Sequence, residues 1–365
     1  MKNERRILFL ADINSVHTER WVKSLVDRGF QINLFSLTAP KTDWMNNCRN
    51  FEFKCFGIDQ ATVQSNSRFG KFSYFKARKE AKAYFQETQP DIVHAHYASS
   101  YGMLARTIGF EKTVLSLWGS DVYEFPKRSI LHRKLFKRAV SFPAIVCSTS
   151  KDMAKEAWRW IDRSYVITPF GVDTDRFSAS YKKSGILTLG TVKSLEEVYG
   201  IDRLIQLYAD FRATASIDSQ LVIYGKGSQE PELRSLVKGL NLEDHVQFKG
   251  FVSQDKLVAA FQSLDIFMAL SRRESFGVAA LEAQSCGVPV LVTSVGGLPE
   301  VVDPESGVIV AEDKPENWLH GLNQLVDKIQ MKTIGDAPRN FVIENFSHDV
   351  CVDKIIQVYE DVERV

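Results

Sequence analysis

The chain alternates, twice over, short runs of apolar residues with longer segments of helical period, and few architectures accept that pattern. In the first half the apolar runs are Arg6–Ala11, Gln31–Ser36, Ile92–His96, Thr113–Leu117 and Ile145–Ser148. Helical patterns cover 17–29, 71–88, 100–108, 128–139 and 151–159. Short, continuously apolar runs read as strands buried on both faces. Strand, helix and strand in succession call for a parallel sheet with helices on both sides. Val166–Phe170 reads as a last strand leaving this half, and the polar stretch 178–185 as a linker. The second half repeats the scheme, with strands at Leu187–Thr191, Gln220–Tyr224, Val246–Phe248, Ile266–Leu270, Val288–Thr293 and Gly307–Val310. Its helices fit 200–214, 229–239, 254–263, 276–285, 298–302 and 315–330. The last segment, Asp349–Glu363, is amphipathic.

A length of 365 residues suits two such domains, each with its own core. The formal charge of +1 supplies no global attraction to nucleic acid. Five cysteines, at 48, 55, 147, 286 and 351, match neither a metal motif nor a disulfide framework, which argues for reduced thiols in a cytosolic protein. Asp12 ends the first apolar run too soon for a signal peptide, and no run of about 18 apolar residues is present to span a membrane.

Chemistry concentrates after the strand Ile266–Leu270. Glu274 and Glu282 lie eight residues apart, and the residues between them carry no charge. The order reads as strand, turn, short helix and stop, with Gly287 in the left-handed position after the helix and Pro289 preventing continuation. Ser275 can cap the helix start, leaving the N–H groups of Phe276, Gly277 and Val278 directed outward. A phosphate is the expected guest there. Eight residues are a little over two helical turns, so the two carboxylates fall on roughly the same side. One reaches beyond the phosphate and the other before it, which matches a nucleotide-sugar.

With Cys286-Gly287-Val288-Pro289-Val290 behind and Gly296-Gly297-Leu298-Pro299-Glu300 further on, the chain resembles the retaining glycosyltransferases of family 4. The resemblance is close in the second half and loose in the first. It implies the α/β GT-B fold: two Rossmann-like domains facing a cleft, and a C-terminal helix crossing back to the first domain. The expected boundaries are 1–170 for an acceptor domain, 171–345 for a donor domain and 346–365 for the returning helix. The resemblance gives Glu274 the donor sugar, Glu282 the ribose hydroxyls and Lys193, after the first strand of the second half, the diphosphate. The family has a second cation about six residues later, where this chain has Val198 and Tyr199; Arg272 or Arg273, just before Glu274, can stand in. Gly225 and Gly227 suit close approach of a backbone to a ligand or a plain turn, and Phe251 sits where the family contacts the base.

In the first half, Ser15 and His17 follow the first strand, in a loop where relatives carry glycines. His94 and His96 share one strand face; no third ligand is near, so no metal is expected. His94 reads as a buried, hydrogen-bonded residue and His96 as the better cleft candidate. Trp118 stands where many relatives have a histidine, and it cannot accept a hydrogen bond. Asp121 is either an acceptor contact or a turn cap. Asp173-Thr174-Asp175 reads as turn chemistry rather than a metal site. Two basic stretches lie at 68–79 and 127–138; in the second, Leu131 and Leu135 share a face that Ile130 and Phe136 widen, a pattern that suits an anionic membrane surface, a lipid-diphosphate acceptor or a plain solvated basic helix face.

The expected function is retaining transfer of a sugar, hexosyl or N-acetylhexosaminyl, from a nucleotide diphosphate-sugar, UDP-sugar favoured, to a hydroxyl of a glycan or lipid-linked glycan. Cell-surface polysaccharide synthesis is the expected setting, at the inner face of the membrane, with no cofactor and no nucleic acid. The alternatives are a sugar-nucleotide epimerase or hydrolase of the same fold, and an inactive sugar- or lipid-binding module.

Overall fold

The apolar runs assemble into two separate sheets in the computed structural model, which describes residues 5–58, 68–180, 185–311 and 314–364. The first sheet comprises β1 (Arg6–Leu10), β2 (Gln31–Ser36), β3 (Phe51–Cys55), β4 (Ile92–His96), β5 (Thr113–Leu117), β6 (Ile145–Ser148) and β7 (Val166–Ile167). Their order is β3-β2-β1-β4-β5-β6-β7, and every pairing is parallel. Helices α1 (Val16–Asp27), α2 (Arg68–Thr88), α3 (Gly102–Ile108), α4 (Ser120–Tyr123), α5 (Ile130–Ser141) and α6 (Lys151–Trp158) connect them.

The second sheet comprises β8 (Leu187–Val192), β9 (Ser219–Tyr224), β10 (Val246–Gly250), β11 (Ile266–Ala269), β12 (Val290–Thr293) and β13 (Val308–Val310). Its order is β10-β9-β8-β11-β12-β13, again parallel throughout. Its helices are α7 (Ile201–Thr214), α8 (Glu230–Gly239), α9 (Leu257–Gln262), α10 (Val278–Ser285), α11 (Pro315–Gln330) and α12 (Ala337–Phe346). A last helix, α13 (His348–Glu363), ends the described chain.

One compact unit holds the residues up to Pro169 together with those from Cys351 onward; the other is Phe170–Val350. Thus α13 packs with the first sheet: Val352, Ile355, Val358, Tyr359 and Val362 are buried in one cluster with Ile7, Phe9, Trp21 and Leu25. The contact is also polar. His94 Nδ1 lies 2.7 Å from the Tyr359 hydroxyl and its Nε2 2.8 Å from Ser116 Oγ. Both ring nitrogens are used, so His94 joins β4, β5 and α13, in line with the buried, hydrogen-bonded reading.

Burial also keeps the His94 ring neutral, lowering its pKa from 6.5 to about 3. The folded unit therefore binds fewer protons than the unfolded chain between those values. Stability from this neutral ring is complete above pH 6.5 and is lost as pH falls toward about 3. Urea midpoints at pH 7 and pH 5 are expected to fall steeply for the natural chain. The fall should be shallower, by up to about 1.4 kcal/mol per pH unit, for His94→Gln; equal slopes would contradict this assignment.

Three of these elements lie outside the expected strands and helices: the short α4, β3 and α12. β3 is an edge strand of alternating pattern, paired along β2 from Phe51 to Cys55. α12 buries only Pro338 and Val342. Part of the expected linker, 181–184, lies outside the described residues. In each sheet the strand order reverses once, between β1 and β4 and between β8 and β11. Loops leaving the carboxyl ends of strands at such a reversal diverge and leave room for a ligand.

Candidate functional site

Lys193 follows β8 and Glu274 follows β11, the two strands flanking the reversal in the second sheet. Their side chains form an ion pair, and each is only 11% exposed. The Lys193 ammonium also sits 4.9 Å from the centre of the Tyr199 ring, within cation–π range. Three backbones converge to make this arrangement. Lys193 N donates to Tyr224 O at 3.0 Å, extending the β8–β9 ladder past the strand ends. The turn Glu197–Tyr199 is stitched to the loop before Glu274, because Val198 O accepts from Arg272 N at 2.8 Å and Arg273 N at 3.4 Å. Glu274 O accepts from Gly297 N at 3.3 Å.

Glycines permit this convergence. A Cβ on Gly225, at φ +143°, would lie 1.8 Å from Lys193 O. A Cβ on Gly296, at φ +55°, would lie 1.7 Å from Glu274 O. Gly225 and Gly227 therefore let the Lys193–Leu195 backbone pass directly over the turn after β9. Beside that turn is a pocket of about 200 Å³ lined by Lys193, Ser194, Gly225, Lys226, Phe251 and Val252. Phe251 stands 72% exposed at this pocket. Lys226 also lines the pocket, a second basic residue that its place between two glycines had hidden in the sequence.

The helix start differs from expectation. The cap position belongs to Gly277 at φ +105°, with no side-chain hydrogen bond, and α10 begins at Val278. Ser275 therefore does not cap it. The first intrahelical bond is donated by Ala280 to Gly277 O at 3.0 Å, so the leading N–H groups are those of Val278 and Ala279. Phe276 is buried, edge-on to Phe170 and tilted against Phe346, and anchors the turn by packing. Glu282 is buried within α10, a helix covered on most sides. Gln284 ties α10 to Val301 O at 2.6 Å, and Arg339 satisfies Ser285 O at its far end at 2.7 Å. This cation opposes the negative end of the helix.

Arg272 does not join the pocket. Its guanidinium grips Asp202 of α7 at 2.8 and 2.6 Å and Glu197 O at 2.8 Å, and this pairing holds the Asp202 carboxyl below its usual range. It braces the Glu197–Tyr199 turn rather than supplying a spare cation. Asp173 accepts from Arg176 N at 2.9 Å, which is turn chemistry.

In the first unit, Ser15 caps α1, accepting from Thr18 N at 3.4 Å. His17, half-buried, meets Trp118 edge-on at 5.8 Å. Trp118 is buried, tilted against His96 at 4.3 Å, and Trp21 closes on His96 at 5.6 Å. His96 is therefore fully enclosed rather than open at a cleft, and burial first, then the neighbouring His94 and His17, pushes its pKa well down. Asp121 is a turn lock instead of an acceptor contact. Its carboxylate accepts from Ala98 N at 2.9 Å, Trp118 N at 3.2 Å and Gly119 N at 2.9 Å. These bonds offset part of the burial that raises its pKa. Among the described residues no group of three or more His, Cys, Asp or Glu is placed to hold a metal.

On α5, Ile130 and Leu131 are 71% and 60% exposed, among exposed Lys127, Arg128, Arg133, Lys134, Lys137 and Arg138. Phe136 does not widen this face; it is buried in the first unit's core. In the other basic stretch, the side chains at 68–75 lie outside the described residues. Among the described residues, no helix is long and apolar enough to cross a membrane.

Two family models match the chain: "Glycosyl transferases group 1" over residues 173–333 and "Glycosyl transferase 4-like" over 6–150. A Bacillus anthracis protein described as N-acetyl-alpha-D-glucosaminyl L-malate synthase is 26% identical over 361 residues, covering 94% of this chain and 92% of its own. Sucrose-phosphate synthase from Thermosynechococcus elongatus superposes with a TM-score of 0.78 at 20% identity, over 98% of this chain and 99% of its own. Anabaena HepE, solved in complex with UDP and glucose, gives 0.76 at 16% identity, over 97% of this chain and 99% of its own.

Proposed function

Because the chain belongs to the family-4-like glycosyltransferases and has their GT-B fold, we propose that it transfers a sugar from a UDP-sugar to an acceptor hydroxyl with retention of the anomeric configuration. The observation that carries this reading is the Lys193–Glu274 pair beside a glycine-lined pocket at the strand-order reversal of the second sheet. Lys193 and Lys226 are the cations for the diphosphate, and the leading N–H groups of α10 add fixed positive dipole. Phe251 offers an exposed ring to the base, Glu282 takes the ribose hydroxyls, and Glu274 orients the sugar. In the transfer, the bond from the anomeric carbon to the leaving phosphate oxygen breaks. The acceptor oxygen bonds to that carbon on the same face, and its proton passes to the departing diphosphate. The protein supplies position and charge rather than a nucleophile.

A glycan or lipid-linked glycan is the acceptor we favour, in cell-surface polysaccharide synthesis. Support comes from Ile130 and Leu131, exposed in a stretch of exposed lysines and arginines, a surface suited to an anionic bilayer. The Bacillus anthracis relative is named for L-malate, a small hydroxy acid, so the acceptor panel should include small hydroxy acids and polyols.

The first test is thermal stability with UDP, GDP and ADP and their sugars. UDP at about 100 times its Kd is expected to raise Tm by about 4 °C, with GDP and ADP doing less. No shift with any nucleotide would refute the donor pocket. With the preferred donor, NMR of the product reads the anomeric outcome, and inversion would overturn the retaining step. Equally fast donor loss without acceptor would point to a hydrolase or epimerase.

A further inference from the structure

Lys193 is the residue on which the diphosphate reading turns, yet its ammonium is engaged from two sides of different character. One is the Glu274 carboxylate, the other the face of the Tyr199 ring at 4.9 Å. We propose that this is a latch: the donor diphosphate and Glu274 compete for one ammonium, and Tyr199 is the positioning residue that holds it while the anions exchange. The proposal rests on the functional reading above and deepens it.

An ammonium has three donors and a single charge. A carboxylate satisfies part of that demand in a site where both side chains are 11% exposed and solvent screens little. A diphosphate brought to the same cation carries more negative charge and repels the carboxylate. Glu274 is then released from Lys193 and becomes available to hydroxyls of the sugar. Orientation of the sugar thus follows capture of the diphosphate. The aromatic face attracts the cation without competing as a hydrogen-bond acceptor, so its hold survives the exchange.

The mounting of Tyr199 fits this role. Its turn is fixed to the Glu274 loop through Val198 O and Arg272, and Gly200, at φ +65°, continues the chain where a Cβ would lie 2.1 Å from Leu270 O. The ring, the cation and the carboxylate therefore sit on one braced frame. A lysine at 199 would repel Lys193; the aromatic residue explains how one cation keeps its place here.

Calorimetric titration with UDP at fixed ionic strength tests the latch on four proteins. Glu274→Gln removes the competing charge and is expected to tighten UDP binding about tenfold. Tyr199→Phe keeps the ring and should match the natural chain within about twofold, whereas Tyr199→Leu should weaken binding about fivefold. Tightening by Glu274→Gln and rescue by phenylalanine are effects that simple structural damage does not produce. Unchanged or weaker binding by Glu274→Gln, or equal affinities for the phenylalanine and leucine variants, would overturn the latch while leaving the donor pocket intact. If the natural chain binds none of UDP, GDP and ADP, the pocket assignment falls and the latch falls with it.

Discussion

Replacing Glu274 by alanine is expected to lower kcat by about 10²–10³-fold while the protein stays folded. The fold should survive because it is the backbone at 274, not the carboxylate, that packs the loop: Glu274 O accepts from Gly297 N at 3.3 Å, and Phe276 anchors the turn. Turnover should fall because the carboxylate assigned to orient the sugar is gone. The remaining cation keeps the Tyr199 ring, 4.9 Å away. The stability loss should therefore be modest, about 1–2 kcal/mol rather than the larger value for a stranded buried charge. Donor binding should be kept or improved, so the defect belongs to kcat and not KM. Steady-state rates with the preferred donor, beside thermal melts of both proteins, check this. Turnover within threefold of the natural chain would remove Glu274 from the chemistry.

The second large effect is expected from a residue that touches no substrate. In Gly296→Ala the new Cβ would lie 1.7 Å from Glu274 O and 2.8 Å from its carbonyl carbon, distances at which one backbone must move. The φ of +55° adds a left-handed penalty of about 1 kcal/mol. The Glu274 loop is the yielding part, since Leu298 and Val301 are fully buried behind Gly277. A shift on the order of 1 Å in a positioning group costs about 10² in rate, and overpacking costs about 1–3 kcal/mol. Gly335→Ala is the control: its φ is +53°, but nothing lies within 4 Å of the added Cβ. It should show only the backbone penalty and normal turnover. Equal rates for the two variants would show that close packing at Gly296 does not position Glu274.

The central strands were legible because burial on both faces leaves a continuous apolar run, as in Ile7–Leu10 or Val290–Val292. β3 was not, because only an edge partner covers it and Glu52 and Phe53 remain exposed. α12 was not, because it buries too few residues to show a periodic face. At the site, the spacing of Glu274 and Glu282 pointed to a nucleotide-sugar, whereas the role of Lys193 was implied only by the family resemblance. Arg272 was misread because its carboxylate partner, Asp202, is 70 residues distant in sequence. For Asp121 the sequence left a ligand contact and a turn cap both open, and Ser15 proves to cap α1, because short polar side chains at strand ends serve backbone N–H groups as readily as ligands. Tyr199 was visible only as a missing lysine; its ring gains meaning from the approach of Lys193.

The contribution of α13 to the first unit has a consequence for synthesis. Tyr359 and its apolar neighbours complete a core whose other members, Phe9, Trp21 and His94, are made more than 250 residues earlier. Vectorial synthesis therefore leaves that core open until residues 348–363 have left the ribosome, while the second unit already has its own core inside residues 187–326. A fragment ending at Pro169 is expected to expose this apolar face and to be recovered soluble only when a peptide carrying residues 348–363 is supplied in trans.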